Sequence, residues 1–126
     1  DNTGLFKIKY EINGDVITLE AKKELAIFRI IQESLNNILK HSEAKNIFVN
    51  IEYTDTMLCL FIHDDGIGFT VEEGAKKKDS GGSGLTNIKE RIRMIDGNCE
   101  ILSAAGKGTS ISISVPISNS KNDTHG

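Results

Sequence analysis

Hydrophobic and polar residues alternate along two neighbouring segments in the middle of the chain. This pattern predicts half-buried β-strands over residues 46–54 and 57–63, with Asp55-Thr56 as the turn between them. Two further strands are predicted over residues 98–103 and 109–117, the last strands of the chain. A glycine-containing turn separates these last two strands, so each pair is expected to form a hairpin.

The N-terminal region is also rich in β-forming residues. Residues 5–12 and 15–20 lie on either side of Asn13-Gly14. Asn-Gly between two such segments is the strongest short-range signal for a two-residue hairpin turn. We therefore expect these segments to form a third antiparallel hairpin.

In two segments the apolar residues recur with the period of a helix, over residues 22–40 and 84–96. Gly97 is expected to end the second helix. The apolar positions of the second helix recur every three or four residues: Leu85, Ile88, Ile92 and Ile95. Strands that bracket two helices, joined by hairpins rather than by βαβ units, predict an α+β fold. Its sheet would carry the helices on one face.

Composition and charge narrow the possible classes of protein. A chain of 126 residues fits one domain, expected over residues 1–117 with a polar C-terminal tail at 118–126. The net charge of -3 argues against a nucleic-acid-binding protein, which normally has a basic excess. Cys59 and Cys99 form no CxxC pair, which favours a reducing compartment, the cytoplasm. The chain begins with Asp1, and we expect it to be a domain of a longer protein.

The first predicted helix has a polar stripe. At about 100° per residue, Arg29, Glu33, Asn37 and Lys40 fall on one side. The opposite side, expected to pack on the sheet, holds Phe28, Ile31, Leu35 and Ile38. A solvated polar face is the ordinary interpretation of such a stripe. A carboxylate, an amide and an ammonium group close together are also what a Mg²⁺-phosphate complex requires.

Two glycine-rich segments follow. The first, Asp64-Asp65-Gly66-Ile67-Gly68-Phe69, comes directly after a predicted strand, where it could be a simple turn. Its glycines would also let a flat ligand approach the backbone, and a carboxylate there could accept from an exocyclic amine such as adenine N6. The second, Gly81-Gly82-Ser83-Gly84-Leu85, opens the second helix. It could be a hinge with an N-cap, or a phosphate cradle at the helix N-terminus.

Taken together, these segments resemble the GHKL ATP-binding fold of DNA gyrase B, the ninety-kilodalton heat-shock chaperones, MutL and the sensor histidine kinases. The resemblance covers residues 20–116. Four segments carry it in the family's order: residues 25–44 (LAIFRIIQESLNNILKHSEA), 63–69 (HDDGIGF), 81–97 (GGSGLTNIKERIRMIDG) and 106–117 (GKGTSISISVPI). They are most similar to the sensor kinases that partner NarL-type response regulators. The resemblance implies a two-layer α/β sandwich of the GHKL (Bergerat) type, with a mixed, mostly antiparallel sheet.

The resemblance also implies a role for individual residues. Glu33 would be the acid that polarises the phosphoryl acceptor, Asn37 the Mg²⁺ ligand and Lys40 a phosphate contact. His41 would lie near the nucleotide. Asp64 would bind adenine N6. The remaining implied nucleotide contacts are Gly66 and Gly68 beside the base, Gly82, Gly84 and Leu85 near the phosphates, and Thr109 at the adenine through a water.

The chain departs from the family pattern at Asp65 and in the segment of residues 70–80. The second position of the first glycine box is Asp65, where the family often has Asn, so no role is assigned to it. Residues 70–80 would form a short ATP lid, and the helix that larger kinases carry beside the lid has no counterpart. Within the expected lid, Lys76-Lys77-Lys78 could contact phosphate or be a solvated charge run.

The function implied by the resemblance is that of the catalytic, ATP-binding domain of a bacterial two-component sensor histidine kinase. With ATP and Mg²⁺ as cofactors, it would transfer the γ-phosphoryl group to a His on a separate phosphoacceptor domain of the same protein. The phosphoryl group would then pass to a response regulator. The three histidines, His41, His63 and His125, lie outside any two-helix context, so none is expected to be the acceptor. The parent protein would be a homodimer that can be membrane-anchored.

Two alternatives share this fold. One is a free-standing serine kinase of the anti-sigma-factor type. The other is a non-catalytic nucleotide-binding interaction module. The presence of Glu33, Asn37 and Asp64 weighs against the second alternative. A phosphoacceptor segment encoded directly upstream would exclude the first.

Overall fold

A computed structural model of the protein describes residues 6–41, 43–68 and 84–117. In chain order the elements are β1 (Lys7–Asn13), α1 (Ala21–His41), β2 (Asn46–Tyr53), β3 (Met57–Asp64), α2 (Gly84–Met94), β4 (Asn98–Ser103) and β5 (Thr109–Pro116). The predicted α+β architecture is confirmed, as are both predicted helices and the last four strands. Neither α1 nor α2 has the length and hydropathy that a membrane-spanning helix requires.

The strands form one five-stranded sheet in the order β1-β2-β3-β5-β4. β2 pairs antiparallel with β3, β3 with β5, and β4 with β5. β1 pairs parallel with β2. The sheet is therefore mixed and mostly antiparallel.

The predicted N-terminal hairpin is wrong. Residues 14–20 form no strand, and β1 is instead joined to its parallel neighbour β2 through α1. Parallel neighbours need a long crossover, so this part of the chain is a βαβ unit. Gly14, with a φ of 85°, serves a close approach of backbones: a Cβ on it would lie 2.1 Å from the carbonyl oxygen of Tyr53.

The hydrophobic core lies between the sheet and the two helices. Burial alternates along β3, where Leu58, Leu60, Ile62 and Asp64 face inward. The apolar residues of the core come from both layers: Ile30, Ile38, Ile47, Val49, Leu58, Leu60, Ile62, Ile88, Ile92, Ile95, Ile111, Ile113, Val115 and Ile117. Residues from both helices join one cluster with residues from β2, β3 and β5, so both helices lie on the same face of the sheet.

The packing face of α1 agrees with the predicted one except at Phe28: Ile38 is buried, and Ile31 and Leu35 pack against the core. Ile30 and Ser34, which were not predicted to face the sheet, are also buried, and the Ser34 hydroxyl donates to the carbonyl of Ile30 at 2.8 Å. Phe28, expected to pack on the sheet, is 60% exposed. The reason is that α2 packs beside α1, which rotates the buried face toward the side that carries Glu33. A helical-wheel projection of one helix does not show where a second helix packs against it.

Candidate functional site

Most of the predicted site residues meet at one edge of the sheet. β3 ends at this edge with Asp64, opposite Thr109, the first residue of β5. Asp64 is also opposite Ile47, near the start of β2. The start of β2 follows the C-terminal end of α1 by only a few residues. This edge therefore gathers the ends of β3 and α1 and the beginning of β5.

The N-terminus of α2 points to the same edge. α2 leads into β4 at Asn98, and Asn98 lies opposite Ser114, near the far end of β5. The C-terminal end of α2 is therefore at the far edge, and Gly84, its first residue, is at the edge that holds Asp64. The free N–H groups and the positive dipole end of a helix N-terminus favour an anion. The two helices run antiparallel, so the C-terminal half of α1 lies beside this N-terminus.

Asp64 is the buried carboxylate of the site. It occupies the inward-facing position that Leu58, Leu60 and Ile62 hold earlier on β3, and only 1% of its surface is exposed. Its Oδ1 accepts a hydrogen bond from the backbone N–H of Gly66 at 2.8 Å. A carboxylate is seldom buried this completely without a partner or a function. Because side chains alternate along β3, the Asp64 carboxylate lies on the inner face of the sheet, at the point where the strand ends.

The glycines around Asp64 are required by close backbone contacts. A Cβ on Gly108, whose φ is 80°, would lie 2.1 Å from the carbonyl oxygen of Asp64. A Cβ on Gly68, whose φ is 68°, would lie 2.1 Å from the carbonyl oxygen of Ala104. The N–H of Gly106 also donates to the carbonyl of Ile67 at 2.5 Å. These contacts hold the first glycine segment against the turn between β4 and β5.

Thr109 is held by the same turn. The hydroxyls of Ser103 and Thr109 are 2.7 Å apart, and the Ser103 hydroxyl also donates to the carbonyl of Gly108 at 3.1 Å. Ser103 is the last residue of β4 and pairs with Thr109 across the sheet. Thr109 therefore has a fixed position directly beside Asp64.

Asp65 is a feature that sequence reasoning missed. Its Oδ1 accepts from the backbone N–H groups of Lys45 and Asn46, both at 2.9 Å, and its Oδ2 accepts from the side-chain amide of Asn46 at 2.7 Å. The hydrogen bonds from Asn46, first the side-chain and then the backbone one, lower the pKa of the Asp65 carboxyl below its ordinary value of 3.8. Asp65 thus ties the end of β3 to the segment that enters β2. No sequence signal pointed to this contact, because Asp65 and Asn46 are far apart in the chain.

Glu33 does not lie on an open polar face, as the stripe had suggested. Its Oε1 accepts from Nε of Arg91, on α2, at 2.5 Å. Glu33 and Asn37 are both half-buried, whereas Arg29 and Lys40, the other two members of the stripe, are exposed. Arg91 was not among the predicted site residues. Its place on the second helix, far away in sequence, gave no signal to find it by.

The remaining predicted residues are located only in part. The backbone of His41 ends α1, and Gly84 and Leu85 begin α2, at the site edge. Gly82 lies outside the described residues. The expected lid, residues 70–80, also lies outside them.

The opposite face of the sheet carries a groove of about 380 Å³ that holds none of the predicted site residues. It is lined by Asn50, Glu52, Cys59, Leu60, Phe61, Asn98, Cys99, Glu100, Ser112, Ile113 and Ser114. His63 faces the same side, where its Nδ1 lies 2.8 Å from the Ser110 hydroxyl and its ring stacks on Phe61. His63 therefore lies beside Asp64 along β3, but on the opposite face of the sheet.

The chain matches one family of proteins over most of its length. Residues 22–119 match the family described as histidine kinase-, DNA gyrase B-, and HSP90-like ATPase. In solved structures, the fold is similar to the histidine kinase domain of the blue-light-activated histidine kinase from Erythrobacter litoralis, with a TM-score of 0.67 and 20% identity over 93% of this chain and 57% of that one.

Curated relatives have closely similar sequences. The chain is 46% identical, over 82% of its length, to an uncharacterised sensor-like histidine kinase of Chloroflexus aurantiacus. It is 40% identical, over 91% of its length, to the signal transduction histidine-protein kinase/phosphatase DegS of Bacillus subtilis. It is 33% identical, over 89% of its length, to the sensor histidine kinase ComP of the same organism. The chain spans 18%, 30% and 14% of these three relatives, respectively.

Proposed function

Because this chain belongs to the family of histidine kinase-, DNA gyrase B-, and HSP90-like ATPases, we propose that it is the ATP-binding, phosphoryl-donating domain of a sensor histidine kinase. It binds Mg-ATP at the edge where β3 and α1 end and β5 and α2 begin. It transfers the γ-phosphoryl group to a His on a separate domain of the parent protein, a homodimer. The phosphoryl group then passes from that His to a response regulator.

The observation that carries this proposal is the buried carboxylate of Asp64 beside a glycine-rich backbone. A carboxylate accepts from the exocyclic amine of adenine, whereas guanine presents a carbonyl oxygen at the corresponding position. Gly66 leaves the adjoining backbone free of a side chain, so a flat base can lie against it. Gly68 holds the following backbone close to Ala104, on the turn between β4 and β5. Thr109 lies opposite Asp64 in the sheet, which supports its assignment to the same base through a water.

The phosphates are assigned to the helix ends. Gly84 opens α2, where free N–H groups favour the phosphate oxygens. Gly82, two residues earlier in the sequence, is assigned to the same phosphates. Leu85 follows in the first turn. Lys40, exposed near the end of α1, contributes a positive charge, and His41 lies one residue further along.

Mg²⁺ would be held mainly by the nucleotide. Among the described residues, no group of three or more His, Cys, Asp or Glu side chains could hold a metal ion. Asn37, which is half-buried, would supply one ligand through its amide oxygen, and phosphate oxygens and waters would supply the others. When bound, it neutralises charge on the phosphates.

Glu33 acts on the acceptor. The neutral imidazole attacks the γ-phosphorus through the ring nitrogen that carries a lone pair. The bond from phosphorus to the bridging oxygen breaks, and ADP leaves. The N–H on the other side of the ring donates to the Glu33 carboxylate, which stabilises the positive charge that grows on the ring. This stabilisation exists mainly in the transition state, so it raises the rate without tightening ATP binding.

Labelling of the natural full-length protein with γ-labelled ATP and Mg²⁺ tests the proposal. We expect an acid-labile phosphoramidate on a His outside residues 1–126. Glu33→Gln should bind ATP normally and be labelled about 10²- to 10⁴-fold more slowly. An acid-stable phosphoserine would favour the anti-sigma-factor type of kinase, and the absence of any label would favour a non-catalytic module. Labelling of His41, His63 or His125 would contradict the assignment.

A further inference from the structure

Glu33 and Arg91 form a partly shielded ion pair across the two helices. Arg91 Nε donates to Glu33 Oε1 at 2.5 Å, and the two side chains are 37% and 22% exposed. They come from α1 and α2, which are 58 residues apart at this contact. The same helix offers a contrast in Arg93, whose ion pair with Glu90 spans 3.0 Å between side chains that are 78% and 62% exposed. Exposed pairs of that kind contribute little to stability or order.

We propose that Arg91 is a positioning residue for phosphoryl transfer, acting through Glu33. This inference rests on the proposed function, because it needs Glu33 to receive the N–H of the acceptor imidazole. A glutamate side chain without a partner samples several rotamers, and only some direct an oxygen toward an incoming ring. Arg91 holds Oε1 and leaves Oε2 to accept from the imidazole.

The pair also couples the two binding elements of the site. α1 carries Asn37 one turn beyond Glu33, and α2 begins at Gly84, roughly two turns before Arg91. A single contact therefore connects the helix assigned to Mg²⁺ and the acceptor with the helix assigned to the phosphates. Holding reacting groups in one geometry lowers the barrier, and small misplacements are costly. This coupling predicts that loss of Arg91 slows transfer more than it weakens nucleotide binding.

The test compares Arg91→Gln with Arg93→Gln in the natural full-length protein. Both substitutions remove one positive charge from α2, but only the first removes the partner of Glu33. For Arg91→Gln we expect an affinity for Mg-ATP within about twofold of the wild type and a labelling rate at saturating ATP lower by about 10- to 100-fold. Arg93→Gln should keep both values. Arg91→Lys keeps the charge but lacks the planar fork, so its rate should lie between those of Arg91→Gln and the wild type.

A second comparison separates positioning from general support of the fold. In a Glu33→Gln background, Arg91→Gln should change the labelling rate by no more than about twofold, because residues that act as a unit have non-additive effects. Equal slowing in both backgrounds would overturn the inference. Parallel losses of ATP affinity and thermal stability in Arg91→Gln would also overturn it, since they would indicate a purely structural contact.

The outcomes distinguish this inference from the proposed function. If Glu33→Gln is labelled at the wild-type rate, the role of Glu33 fails and that of Arg91 fails with it. If Glu33→Gln is slow and Arg91→Gln is not, only the inference about Arg91 fails. If Arg91→Gln does not fold, Arg91→Lys decides: a reduced rate at unchanged ATP affinity supports positioning, and the full rate overturns it.

Discussion

Both carboxylate oxygens of Asp65 accept hydrogen bonds from Asn46, Oδ1 from its backbone N–H at 2.9 Å and Oδ2 from its side-chain amide at 2.7 Å. The contact joins the end of β3 to the first residue of β2. It lies beside Asp64, so it helps to fix the backbone from which the buried carboxylate projects. Asp65 is therefore a structural residue of the site.

Asp65→Ala should make the protein less stable at neutral pH and nearly as stable as the wild type in acid. The pKa of Asp65 is lowered in the folded state. Its contribution is thus fully present above the ordinary value of about 3.8 and is lost as the pH falls through the lower, folded-state value. Because this carboxylate is exposed to solvent, the expected loss at pH 7 is about 1 kcal/mol or less. Urea unfolding at pH 7 and in acid measures it.

Asp55→Ala is the control for this experiment, because Asp55 is an exposed acid in the turn between β2 and β3. Its loss of stability should be small at every pH. If Asp65→Ala and the wild type differ equally at both pH values, the charge of Asp65 does not act as argued.

Asp64→Asn should weaken ATP binding by about 2 kcal/mol or more, because a charge-assisted hydrogen bond to adenine N6 is lost at a buried position. Discrimination between ATP and GTP should fall with it. Calorimetric titration measures both affinities, and Asp55→Asn provides a variant of equal charge at an exposed turn. An unchanged ATP affinity in Asp64→Asn would remove adenine recognition from this residue.

Gly108→Ala should disturb the site, whereas Gly106→Ala should not. Both glycines have similar positive φ values, 80° and 78°, so both variants carry the same backbone strain, about 1–2 kcal/mol. Only at Gly108 would the new Cβ meet the carbonyl oxygen of Asp64, at 2.1 Å; at Gly106 nothing lies within 4 Å. The difference between the two variants therefore isolates the clash.

We expect Gly108→Ala to lose more stability than Gly106→Ala by about 1–3 kcal/mol, and to bind Mg-ADP more weakly. Thermal unfolding and calorimetry of the two variants are the measurements. Equal stabilities and equal affinities would show that the turn between β4 and β5 shifts to accommodate the new Cβ without moving Asp64.

Asn37→Ala should reduce the Mg²⁺-dependent part of nucleotide binding and abolish phosphoryl transfer. Asn36→Ala is the matched control, because Asn36 is the adjacent residue of α1 and is exposed, whereas Asn37 is half-buried. ATP titrations with and without Mg²⁺ give the metal-dependent difference for each variant. An equal difference in Asn37→Ala and the wild type would exclude Asn37 as the metal ligand.

The positions of the inner elements could be predicted from local pattern. The alternation along residues 57–63 indicated a strand, and the acids and glycines after it indicated where the strand ends. These signals are local: side chains on one strand alternate between two faces, and Asp64 continues that alternation. The burial of Asp64 follows from the same period, so its place in the site was accessible from sequence.

Contacts between distant segments were not accessible in this way. The Asn13-Gly14 pair has the local preference of a hairpin turn. The pairing of β1 with β2 depends instead on the arrangement of the whole sheet, which leaves one side of β2 open to β1. The pairing of Glu33 with Arg91 likewise depends on the packing of α2 beside α1. Tertiary packing decided both, and neither leaves a local pattern in the chain.

An NMR titration of this chain with Mg-ADP, followed through its backbone amide signals, shows most directly whether a nucleotide binds at the edge that holds Asp64. We expect saturable shifts at Gly66, Gly108 and Asn37, with little change at Glu100 and Ser112 on the opposite face of the sheet. Mg-GDP at the same concentration should leave these signals in place. The absence of saturable shifts with Mg-ADP, or shifts confined to the opposite face, would contradict a nucleotide site at the edge that holds Asp64.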